Sequence, residues 1–171
     1  MLQASQILWS ICRLKSNPQD LTRSWTLLFL IVLCGIVIDS FSSSLLIPHL
    51  TGLDIIQVVI LYNLMLLSSI YVLLKIIGYV ERGLQTITAI SGTGLCISLV
   101  LLPALLVINT DDKSQYLVPL IFIDNVWRIV VNAHILRHSL SVSLLMAFII
   151  SISYLMLGVL VADFLLPAQT S

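Results

Sequence analysis

The sequence predicts an all-α protein: an integral membrane bundle of five transmembrane helices, preceded by an N-terminal amphipathic helix lying on the membrane surface. Three observations predict it. Of 171 residues, 59% are hydrophobic and only 9% charged, whereas a soluble domain carries about 25% charged residues. Five separate apolar stretches each reach at least ~20 residues, enough for a hydrocarbon core of about 30 Å. The basic residues also fall on alternate connections between those stretches, as they do in multi-pass proteins.

The first 16 residues read as the interfacial helix, and residues 17–171 as the five-span domain. Ala4, Ile7, Leu8, Ile11 and Leu14 share one helical face, and Gln3, Gln6, Ser10 and Arg13 lie largely elsewhere. Such a helix lies in the interface, with Trp9, Arg13 and Lys15 as anchors. It is not a signal peptide, because the basic residues follow the apolar part and no cleavage-site pattern succeeds it. Ser16-Asn17-Pro18 breaks the helix, since Pro18 cannot continue it and drives Asn17 to an extended conformation. Asp20 or Thr22 is then expected to cap the next element.

The spans are expected at about 24–47, 54–78, 84–108, 116–137 and 140–166. Trp25 opens the first at the depth where interfacial aromatics sit, and Asp39 with Ser40, Ser42, Ser43 and Ser44 makes its far end polar. A tight turn at Pro48-His49 and Thr51-Gly52 leads to the second, which has Gln57, Asn63, Ser68 and Ser69 but no charge between Asp54 and Lys75. The third opens with small residues; Thr88/Gly92 and Gly94/Ser98 are spaced for close helix approach, and Pro103 is expected to kink its far end. Residues 109–115 form a solvated turn. The fourth span carries Asp124, Asn125, Arg128, Asn132 and His134, far more polarity than any other. The fifth ends at Asp163 and Pro167.

Orientation follows from charge. Arg13, Lys15 and Arg23 precede the first span, Lys75 and Arg82 flank the second connection, and Arg137 the fourth. Only Lys113 lies on the other side, with Asp54, Asp111, Asp112 and Asp163. Excess Lys and Arg marks the cytoplasm, which puts the N-terminus inside and the C-terminus outside.

Asp124, Arg128 and Asn132 recur every four residues and form one stripe on a helix. A charge at the bilayer centre costs on the order of 2.5–3.5 kcal/mol on insertion scales, so the stripe must face a bundle interior or a wet cavity. At 1.5 Å per residue, Asp39 lies about 21 Å from Trp25 and Asp124 about 12 Å from Tyr116. Both carboxylates therefore come to similar depth and can face Arg128. Asp39, Asp124, Arg128 and Asn132 are the candidate intramembrane cluster. It either fixes helix register as an ion pair or serves as a proton, ion or polar-substrate site. His134 and His138 form a second, interfacial pair at i, i+4, a spacing that metal sites use. No Glu stands beside His134, His49 falls on the far side, and Glu81 and Cys12 are the only further ligands near. A metal site is not expected. Cys12, Cys34 and Cys96 are scattered, with no CxxC, and read as small apolar fillers. No nucleophile elbow, Walker loop, dinucleotide glycines or basic-aromatic strip is present, so no catalytic residue, cofactor or nucleic-acid partner is expected.

Three stretches resemble a family of small uncharacterised inner-membrane proteins of proteobacteria. They are Asn17-Pro18-Gln19-Asp20-Leu21, Leu84-Gln85-Thr86-Ile87-Thr88-Ala89, and His134-Ile135-Leu136-Arg137-His138-Ser139-Leu140. Ala133 and Gly83 stand where that family often has Gly and Phe. The resemblance runs over most of the chain and implies a bacterial inner membrane, but no activity. The five-span layout with a Pro-containing polar lead-in is also similar to Yip-domain membrane proteins; this architectural likeness implies interaction and no chemistry. The expected function is non-enzymatic: to bind or organise another membrane component, with the bilayer, another membrane protein or a second copy as partner. The alternative is a small transporter or proton-coupled subunit using Asp39, Asp124 and Arg128.

Overall fold

The computed structural model describes residues 2–47, 50–108 and 114–165. These form six α-helices: α1 (Leu2–Cys12), α2 (Trp25–Leu46), α3 (Gly52–Ile77), α4 (Gly83–Ile108), α5 (Ser114–Leu140) and α6 (Leu144–Leu165). Five of them, α2 to α6, contain stretches long and apolar enough to cross a membrane. No strand occurs among the described residues. The expected turn at Pro48-His49, the acids and Lys113 of the 109–113 turn, and Pro167 lie outside those residues.

Local chemistry sets the boundaries. Leu14 takes φ 61° after α1, and Leu14 N–H and Lys15 N–H bond back to Ile11 O (2.8 Å) and Ser10 O (2.9 Å). This is a Schellman stop built on a non-glycine residue. The helix therefore ends before residue 16. Asp20 does not cap the first span; its carboxylate accepts from Asn17 N–H at 2.9 Å and closes a short 3₁₀ turn instead. Ser24 takes the cap of α2, its hydroxyl accepting from Leu27 N–H at 3.2 Å. Thr51 caps α3 and donates its hydroxyl to Asp54, so that helix begins two residues earlier than expected. Gly78 ends α3 at φ 89°, where a Cβ is disfavoured. The last connection also moves: α5 runs on to Leu140, Ser141 turns at φ 56°, and Ser143 starts α6 by accepting from Met146 N–H at 3.3 Å. Pro103 lies inside a continuous α4.

The helices close a ring in the order α2, α3, α6, α5, α4 and back to α2. α4 is the best buried, and its small residues explain why. Thr88, Ala89, Gly92 and Thr93 are all buried, and a Cβ on Gly92 would stand 2.6 Å from a methyl of Leu8. This contact docks α1 across α4. Leu8, Ile11 and Cys12 are buried there, so much of the apolar face expected to meet lipid is covered by protein. The outer faces are apolar: Trp25, Phe29, Ile76, Phe122 and Leu145 are each more than 65% exposed.

Candidate functional site

α2, α4 and α5 bring the predicted cluster together, with one residue added. Arg128 Nε donates to Asp124 Oδ1 at 2.9 Å, one turn away on α5. Its Nη2 donates to the Ser98 hydroxyl of α4 at 2.8 Å, and that hydroxyl donates to Asp39 Oδ1 of α2 at 2.9 Å. Asp39 thus reaches the guanidinium through Ser98, and among the described residues its Oδ2 accepts no hydrogen bond. Gly94, one turn earlier on α4, also faces the guanidinium, and a Cβ there would make ordinary contact with Arg128 Nη1 at 3.5 Å.

The cluster lies between two cavities. The larger, about 340 Å³, is walled by aliphatic residues of α2, α3, α4 and α5, including Leu46, Val59, Leu101, Leu105 and Ile121. Its polar lining includes Asp39, Asp124 and Arg128 with Ser42, Ser43, Asn63 and Asn125. The smaller, about 80 Å³, extends the other way along the bundle, past Gly35, Ser91, Asn132 and Tyr154. Asp39, Tyr62, Asn63, Arg128 and Leu155 line both. Asn132 therefore continues the stripe without joining the ion pair. Arg128 and Asp124 keep 31% and 28% of their side-chain surface exposed, and the cavity is where that surface opens. The Ser91 hydroxyl, at the smaller cavity, has no hydrogen-bond partner.

Ser98 and Tyr62 are the residues that sequence reasoning missed as members of the site. Ser98 was legible only as a small residue at a helix contact. Tyr62 lies in an otherwise apolar stretch of α3, and its ring is held against Gly158 of α6, where a Cβ would come within 2.5 Å of it.

The histidine pair lies at one end of the bundle within a dense polar junction. The two rings meet edge to face at 4.7 Å, and His134 Nε2 lies 3.1 Å from Ser16 O. Around them segments 17–21, 84–89 and 134–140 converge. Gln85 Nε2 donates to Gln19 O (2.9 Å) and Leu21 O (2.7 Å), Gln19 Nε2 donates to His138 O (3.0 Å), and Thr86 donates to the Ser139 hydroxyl (2.9 Å). Arg82 Nη1 reaches Ser139 O and Ser141 Oγ at the C-terminus of α5, where a cation is favoured. No group of three metal-binding side chains occurs among the described residues. Cys12 closes the junction from α1: its carbonyl accepts from Trp127 Nε1 at 3.2 Å, and the neighbouring Cys96 sulfur and burial push its thiol up. Comparison with protein-family models, curated proteins and solved structures found no match.

Proposed function

We propose that this chain is a multi-pass protein of the bacterial inner membrane that binds a second membrane component without transforming it. Its N-terminus is cytoplasmic and its C-terminus periplasmic, and α1 lies along the cytoplasmic interface. The single observation carrying the binding reading is the 340 Å³ cavity, aliphatic along its walls and charged where Asp39, Asp124 and Arg128 line it. Few precisely placed polar groups in an apolar concavity are what ligand sites are made of. The apolar outer faces support the membrane setting. The polar junction supports the orientation, because it gathers the 16–23 segment, the α3–α4 turn and the α5–α6 turn at one end, with Arg23 and Arg82 in the first two and Arg137 in the last turn of α5. Extraction in a mild detergent followed by native mass spectrometry tests the reading. A retained small molecule or lipid, lost on Leu101→Trp, is the expected result; a bare chain in both forms contradicts it.

A second reading, a small transporter or proton-coupled subunit, is favoured by the smaller cavity on the opposite side of the cluster. Two cavities meeting at one charged partition are the layout of a gated path. Ligand flux into liposomes, abolished by Asp39→Asn, separates transport from binding.

A further inference from the structure

The charge count of the cluster decides what the larger cavity can hold. Among the described residues that line the cavity, Asp39 and Asp124 set two carboxylates against the single guanidinium of Arg128, with no other charged side chain. Arg128 is committed to Asp124 by a direct bond of 2.9 Å. Among the described residues, Asp39 receives only the Ser98 hydroxyl at 2.9 Å, and its second oxygen accepts no hydrogen bond. One negative charge is therefore left over at the wall of a largely apolar cavity, where an uncompensated charge is costly. Such a site is completed by one positive charge. An anion is excluded by the same count.

The walls say what carries that charge. A bare alkali ion fills a small part of 340 Å³ and leaves Leu46, Val59, Leu101 and Leu105 facing empty space. A molecule with a cationic end and an apolar body uses both halves of the cavity. Tyr62 lines the cavity beside Asp39, and an aromatic ring attracts a cation within ~6 Å of its face. Resting on the binding reading above, and naming its ligand class, we propose that the larger cavity is a binding site for a monovalent organic cation with an apolar body, held at Asp39. Wherever Asp39 carries a proton in the empty site, that proton cancels the same charge. Binding then releases that proton to solvent as the cation takes its place, one for one. The groups facing Asp39 are Arg128 and Asp124 from α5, Ser98 from α4 and Tyr62 from α3, and Tyr154 of α6 lies across the smaller cavity. None of these supplies a second cation.

The test uses the full chain in nanodiscs of neutral phosphatidylcholine and three probes of similar body. Benzyltrimethylammonium carries a charge that does not titrate; benzyl alcohol and benzoate are its neutral and anionic comparators. Calorimetry is expected to show the ammonium binding at least ~10-fold more tightly than the alcohol, with benzoate weakest. Its affinity rises about tenfold per pH unit wherever Asp39 is protonated, because one proton leaves per cation bound. Asp39→Asn removes at least ~10-fold of the affinity and all of the pH slope, whereas Asp39→Glu keeps both. Should Asp39→Asn not accumulate, the wild-type slope and Asp39→Glu decide. Leu101→Trp, which leaves the cluster intact, abolishes binding of every probe. Benzoate binding tightest, or Asp39→Asn and wild type binding alike, overturns the proposal. Equal binding of ammonium and alcohol also overturns it while leaving the ligand-binding reading in place. No binding of any probe sinks both.

Discussion

Arg128 is held from two sides, and the two contacts are unequal. Asp124 neutralises it directly, while Ser98 passes its influence on to Asp39. Removing Asp124 leaves a guanidinium without its counter-ion. The penalty for a fully buried pair is about 3–5 kcal/mol, and for an exposed pair at most about 1 kcal/mol. Side-chain exposures of 31% and 28% place this pair between them, so about 2 kcal/mol is expected. Asp124→Ala should therefore lower folded protein in the membrane more than Asp124→Ala with Arg128→Leu does, and Asp39→Asn, which removes a carboxylate with no direct bond to Arg128, should stay near wild type. Quantitative immunoblots of membrane fractions check this; a double variant no better than the single would contradict the pairing. A second residue stores backbone strain. Leu14 sits at φ 61° with 43% of its surface exposed, a conformation that costs a non-glycine residue roughly 1–2 kcal/mol. Leu14→Gly should stabilise the α1 stop by about 1 kcal/mol once the entropy of glycine is counted. Thermal unfolding in detergent, followed by Trp9 and Trp127 fluorescence, should rise by a few degrees; an unchanged or lower midpoint would show that Leu14 makes compensating contacts.

Between elements, close approach at glycine sets two contacts. Leu8 fills the space over Gly92, and Tyr62 lies against Gly158. Gly92→Val should lift α1 from α4, because the clash is with a side chain wedged between two helices. Cys12 reports the event. In the native protein its thiol is buried and kept protonated by the neighbouring Cys96 sulfur and by burial, so it alkylates slowly, since the thiolate is the nucleophile. In Gly92→Val, maleimide should label Cys12 many times faster, located by peptide mass spectrometry. Equal rates would mean that α1 stays docked. The polar junction is the other interelement device. Gln85 is only 9% exposed and serves two backbone carbonyls of the 17–21 segment. Gln85→Ala leaves those carbonyls short of donors, at about 1–3 kcal/mol. Faster proteolytic cleavage between Lys15 and Arg23 in that variant is the expected readout. Segments 17–21, 84–89 and 134–140 meet here, and hydrogen bonds join each pair of them.

At the scale of the whole molecule, five long apolar helices close a ring around two cavities, with one charged partition between them. The proposed orientation makes a direct prediction. Alkaline phosphatase, active only outside the cytoplasm, should work when fused after Asp163 and fail when fused after Arg82. The reverse pattern, or two inactive fusions, would rule out five spans with a cytoplasmic N-terminus.

The sequence by itself determined the number and type of the long helices, because apolar length and helix stops are local properties read within one stretch. It also determined that Asp39, Asp124 and Arg128 share a depth, since rise per residue converts position into height. Helix ends were less legible. Ser24, Thr51 and Ser143 act as caps only where the preceding backbone turns suitably, and several hydroxyl residues compete at each boundary. Three matters were decided by tertiary structure alone. Ser98 became the bridge because α4 crosses α2 and α5 at that level, not because serine marks a site. Asn132 shares the stripe of Asp124 and Arg128, yet faces the smaller cavity. The apolar face of α1 meets Gly92 on α4, although an amphipathic pattern serves a protein surface and a lipid surface equally well. Periodicity specifies which residues share a face; only the packing of helices distant in sequence specifies what that face meets.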